Sequence, residues 1–261
     1  MNAPRLPSPA AALVALALLA PATASAQHDT HAMHDMPSAT SRAAAQPSMA
    51  AHDMHDDAVF GYLLFDHLEA GEGTQSWKTQ GWLGTDLHRA WLRSEGERDD
   101  GRLDHADVEL LYGRPVSPWW DLLAGVRHDM GEGGTRDFLA VGVQGLAPYK
   151  IEVAATAYLG ESGRSAARVE LEYETRLTGR LILQPSVEAN LYGRDDPSRG
   201  LGSGLSTLES ALRLRYEFTR RFAPYVGVGR EHAFGGTADL RRMDGRPVAD
   251  TRFVAGLRTW F

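Results

Sequence analysis

Between Ser165 and Tyr192 the chain alternates with a period of two. Arg168, Glu170, Glu172 and Glu174 carry charge at every second position, while Ala167, Val169, Leu171, Tyr173 and Thr175 between them carry none. After the turn Leu177-Thr178-Gly179 the pattern resumes, with Leu181, Leu183, Pro185, Val187, Ala189 and Leu191 on one face and Gln184, Ser186, Glu188 and Asn190 on the other. A helix would scatter these glutamates around its circumference. A strand gathers them into one charged stripe opposite an apolar one, so both segments are strands.

The same reading extends to about a dozen strands from Val59 onward. They run over 59–70, 75–83, 87–95, 103–114, 119–129, 135–146, 149–159, 165–176, 180–192, 204–218, 222–232 and 250–261. Segments near 10 residues match tilted membrane crossings. Short connections at Gly84-Thr85-Asp86, Pro115 to Pro118, Ala147-Pro148, Leu177 to Gly179 and Thr219 to Arg221 alternate with others that include the long polar stretches Gly193 to Ser203 and Ala233 to Ala249. Short turns on one side, long loops on the other and an even strand count predict an all-β, antiparallel outer-membrane barrel with both ends on the short-turn side.

A barrel of about twelve strands is wider than the eight-strand size that side chains just fill, which favours a polar, partly wet lumen with the apolar stripe toward lipid. Arg at Leu171 or Val187 is then expected to cost about 2–4 kcal/mol and impair assembly, and Leu at Gln184 far less. His105, Asp107, Glu109, Asp129, Glu170, Glu172, Glu174 and Glu188 become candidate lumen residues for a cation path. Arg127, Arg168, Arg213, Arg215 and Arg258 share the same faces, so a bracing salt-bridge network is the competing reading. Trp77, Trp82, Trp119, Trp120, Tyr149, Tyr158, Tyr192 and Trp260 fall near strand ends, where amphipathic rings form interfacial girdles.

Upstream of the strands the chemistry changes. Residues 1–26 read as an export signal, with Arg5, an apolar run from Ala10 to Ala20 that is too short to span a bilayer, and Ala24-Ser25-Ala26 before Gln27. Residues 27–58 form a tail with few large apolar groups besides Met, expected to be disordered. Five of the ten histidines lie in it: His28, His31, His34, His52 and His55, interleaved with Met33, Met36, Met49 and Met54. His31-Ala32-Met33-His34-Asp35 and His52-Asp53-Met54-His55-Asp56 repeat one unit. Imidazole suits copper, zinc and nickel, whereas thioether selects copper, Cu(I) above all, so the pairing points to copper as Cu(I), Cu(II) or both. Cysteine is absent, which excludes disulfides, zinc–thiolate sites and cysteine nucleophiles. A formal charge of −7, with Arg dispersed among carboxylates, argues against nucleic acid.

The segments Gly81-Trp82-Leu83-Gly84-Thr85-Asp86, Ala124-Gly125-Val126-Arg127-His128-Asp129, Gly142 to Tyr149, Leu201-Gly202-Ser203-Gly204-Leu205, Leu212 to Glu217 and Phe222 to Gly227 occur in an order that resembles the bacterial copper resistance protein B family. The final strand ends on the aromatic pair Trp260-Phe261, similar to outer-membrane barrels generally. The family resemblance implies copper binding by the amino-terminal region, an outer-membrane location amid lipid and a part in copper tolerance beside periplasmic copper-handling partners. Two rivals remain: a lipase-like barrel enzyme, for which His128 faces outward by alternation, and a structural barrel with an incidental tail.

Overall fold

The computed structural model describes residues 58–71, 73–131 and 133–261. The export signal and residues 27–57 of the His/Met tail read from the sequence lie outside them. Thirteen strands follow: β1 (Phe60–Ala70), β2 (Thr74–Gly84), β3 (Arg89–Asp99), β4 (Arg102–Ser117), β5 (Trp120–Gly131), β6 (Arg136–Ala147), β7 (Ile151–Gly160), β8 (Ser165–Tyr173), β9 (Thr175–Arg176), β10 (Leu181–Tyr192), β11 (Gly204–Tyr216), β12 (Phe222–Ala233) and β13 (Ala249–Trp260). β8 and β9 are one stave interrupted at Glu174, since both pair with β10. Each stave is antiparallel to its neighbours, and β1 pairs with β13 to close a ring of twelve.

Alternation sorts the two faces as the sequence predicts. Leu92, Leu110, Val126, Leu139, Val141, Leu159, Leu171, Val187, Leu212 and Val226 are exposed on the outside, while Asp107, Glu109, Arg127, Asp129, Gln184, Arg213 and Arg215 are buried within. An exterior of leucine and valine has no place in water over so many staves. Lipid accommodates it, and closure leaves no unpaired strand edge in the hydrocarbon.

The polar interior expected of the lumen is interrupted by one apolar wall. Trp91, Leu111, Leu123, Phe138, Ala140 and Tyr158 form a buried apolar cluster, against which Trp82 and Ala166 pack. All of these lie on the inner face of β2–β8, because Leu111 is in register with Gly125, and Phe138 with Arg127. Gly113 makes room for the cluster, since a Cβ there would stand 2.6 Å from the Trp91 Nε1. Filling one inner wall with large rings narrows a ring that would otherwise be too wide for side chains to fill.

Most exposed aromatics gather at one end, with Phe253 on β13 an exception. Phe60, Tyr112, Trp119, Tyr149, Tyr216, Phe218, Phe222 and Phe261 are exposed, all at the end of the barrel that holds both strand termini Phe60 and Trp260. Trp82 and Tyr158, expected in the girdles, turn inward instead, where the Tyr158 hydroxyl donates to Glu109 Oε1 at 2.6 Å.

At the opposite end, four of the six connections are short, so long loops are confined to the last two. Neither of these is simply irregular. Helix α1 (Gly235–Met243) occupies the second, and its Thr237 hydroxyl accepts the Gly202 N–H at 2.8 Å and pairs with the Ser206 hydroxyl at 2.7 Å. A Cβ on Gly202 would lie 2.4 Å from the Thr237 nitrogen, which accounts for glycine in the Leu201–Leu205 motif. The first loop reaches back over the mouth: Arg136 bonds Asp196 at 3.3 Å, and Arg199 bonds Asp129 at 3.0 Å.

Candidate functional site: the ion-paired lumen

Charged side chains on the inner faces meet across the barrel. Lys78 on β2 donates to Glu170 on β8 at 2.6 Å, with Glu188 at 3.6 Å and Glu95 at 4.0 Å. β2 and β8 stand six staves apart in the ring of twelve, so this bond spans the diameter. Arg168 reaches Glu95 at 2.9 Å and Asp107 at 3.1 Å on the facing wall. Arg213 on β11 holds Glu69 on β1 at 2.7 Å. The barrel is therefore tied across its interior, since a buried charge persists only where it is paired.

Most of the lumen residues picked out by alternation belong to this network. Asp107 and Glu109 flank Arg127, whose guanidinium also lies 4.6 Å from the Tyr158 ring centre. Asp129 takes Arg127 and Arg199. Glu174 accepts from Arg215 at 2.6 Å, and Glu188 lies 3.5 Å from Arg168. His105 sits apart, half exposed toward the loop end beside Asp104 at 3.3 Å. Glu172 differs from the other carboxylates in that set: among the described residues its bond is to the neutral Gln184, not to a cation.

Gln184, on the lumen face, bridges two charged groups. It is 2% exposed, accepts from Arg215 at 2.7 Å and donates to Glu172. Alternation alone could assign its face but not its partners.

One pair of residues escaped the alternation altogether. Register slips in β1 between Phe65 and Leu68 on the β13 side, and between Phe65 and His67 on the β2 side, mark a β-bulge. Both Asp66 and His67 thereby face inward, each 8% exposed. Two consecutive polar residues between Phe65 and Leu68 are the sequence signal for such a bulge.

On the outer face, His128 bonds Asp137 at 2.6 Å beside a groove lined by Val108, Leu110, Val126, Leu139 and Leu159. Among the described residues that line it, none brings a hydroxyl or thiol to this pair.

An apolar exterior closed around an ion-paired interior defines a transmembrane β-barrel of the outer-membrane type. Residues 59–261 match the family described as Copper resistance protein B precursor (CopB). The chain is 48% identical over 224 residues to a copper resistance protein B homolog of Pseudomonas syringae pv. tomato, covering 84% of this chain and 76% of the relative. It is 45% identical over 224 residues to copper resistance protein B of Escherichia coli, with the same coverage. A NanC porin structure aligns with a TM-score of 0.49 and 13% identity over 77% of this chain and 99% of that one. The chain belongs to the copper resistance protein B family and has a role in copper resistance.

Proposed function

We propose that this protein is a non-enzymatic copper-handling barrel of the outer membrane, whose tail of residues 27–57 captures copper on the periplasmic side and whose barrel anchors that tail. The observation that carries the reading is the repeated His–x–Met–His unit immediately preceding a barrel of the copper resistance family. Thioether and imidazole together offer ligands for Cu(I) and Cu(II), whereas zinc gains little from methionine. Both strand termini lie at the short-turn end, which is the periplasmic end of outer-membrane barrels, and this supports placing the tail there.

Wall-to-wall ion pairs at Lys78, Arg168 and Arg213 favour anchoring over an open pore, since a hydrated ion would have to break them to pass. Metal titration of the mature protein against a version without residues 27–57 tests the assignment. High-affinity copper equivalents are expected to fall on truncation while the barrel still folds. Unchanged copper binding would remove the tail from the function.

A further inference from the structure

Asp66, His67 and Glu172 bring one imidazole nitrogen and two carboxylate oxygens within 4.8 Å of one another inside the barrel. The β1 bulge supplies the first two, and β8, from across the lumen, supplies the third. His67 is buried, and its Nε2 has no hydrogen-bond partner among the described residues. Asp66 Oδ2 faces it at 3.4 Å without forming a hydrogen bond. A buried ring nitrogen left in this way is unfavourable, and a bound ion would compensate it.

The surrounding groups hold the three ligands without occupying them. Arg258 Nε donates to Asp66 Oδ1 at 2.7 Å, which leaves Oδ2 turned toward the imidazole. Gln184, itself fixed by Arg215, donates to Glu172 Oε1. The Tyr225 ring stands edge-on to the imidazole, with centres 6.1 Å apart. Such outer partners orient metal ligands and set their basicity. The other carboxylate cluster, Glu95, Glu170 and Glu188, is a contrasting case, because the Lys78 ammonium already fills it.

We propose that Asp66, His67 and Glu172 form an intralumenal site for a divalent transition metal, taking Cu(II) ahead of Zn(II). One nitrogen and two oxygens suit a borderline divalent ion, and at equal geometry Cu(II) binds such a set more tightly than zinc. Cu(I) is disfavoured because no thioether belongs to the set: the methionines of the described residues, Met130 and Met243, lie at the loop end of β5 and in α1. The choice of copper rests on the copper-handling reading above, whereas the ligand geometry does not. Glu172 also lies two residues nearer the terminus-bearing end of β8 than Glu170, which Lys78 holds.

The test uses the complete mature chain with His28, His31, His34, His52 and His55 changed to Ala, titrated with Cu(II) and followed by electron paramagnetic resonance. One equivalent with a single equatorial nitrogen is expected to remain. Adding His67→Gln, or separately Glu172→Gln, is expected to weaken it by about 10-fold or more, with folding checked by heat-modifiable migration. Zn(II) competes weakly, and Cu(I) leaves the site empty. Absence of the retained equivalent, or its survival undiminished in both folded variants, overturns the site. Copper lost on changing the tail histidines is a separate readout and tests the tail, so the two readings fail independently.

Discussion

Replacing Lys78 with Met keeps the length of the side chain and removes the ammonium that joins β2 to three carboxylates. Two unit charges at the 2.6 Å separation of Lys78 and Glu170 attract by about 6 kcal/mol at an effective dielectric of about 20, but much of this offsets their desolvation. Removing one partner of a buried pair costs about 3–5 kcal/mol because the other charge is stranded. The lower end applies here, since the two side chains keep 29% and 28% of their exposure and water screens part of the repulsion among Glu95, Glu170 and Glu188. Lys78→Met is therefore expected to destabilise the barrel by about 3 kcal/mol. Adding Glu170→Gln is expected to recover at least about 1 kcal/mol of that, a coupling that only interacting residues show. Urea unfolding from lipid vesicles, followed by tryptophan fluorescence, measures both. A single variant within about 0.5 kcal/mol of wild type, or strictly additive effects in the pair, would refute a bracing role for the crossing.

Four further outcomes follow from other parts of the molecule. Leu171→Arg, on the exposed apolar face, is expected to cost about 2–4 kcal/mol in the same unfolding assay. Gln184→Leu, which leaves Arg215 and Glu172 without their shared amide, is expected to cost about 1–3 kcal/mol; no effect would mean that the amide bridges nothing. In the 193–203 loop, burial opposes ionisation of Asp196, yet hydrogen bonds from Ser198 and the guanidinium groups of Arg136 and Arg164 hold its carboxyl below the ordinary range. A depressed carboxylate stabilises above its unfolded pKa near 4, so protease cleavage of this loop is expected to stay slow at neutral pH and to rise on acidification below about pH 4; a rise already at pH 6 would assign the effect to another group. In the tail, changing Met33, Met36, Met49 and Met54 to Leu is expected to lower Cu(I) affinity while zinc affinity barely moves, and an equal loss of both metals in competition titrations would contradict the thioether assignment.

Period-two alternation is a local property, and everything that depends on it was legible in the residues: the positions of nearly all staves, the outward face of Leu171 and Val187, and the inward face of Arg168, Glu170 and Glu188. Which charge meets which was not, because Lys78 and Glu170 lie 92 residues apart and meet only when the ring closes and narrows. The same holds for Trp91, Leu111 and Tyr158, whose hydrophobicity gives no hint that a barrel with an apolar exterior also buries an apolar cluster inside. Helix α1 was hidden in a polar stretch because its position is fixed by the Gly202–Thr237 and Ser206–Thr237 hydrogen bonds, which come from another loop and strand. At Asp66 and His67, strict alternation sends one side chain to lipid. Pairing with β2 and β13 on both sides forces the bulge that turns both inward, because register is a property of three strands together and not of one.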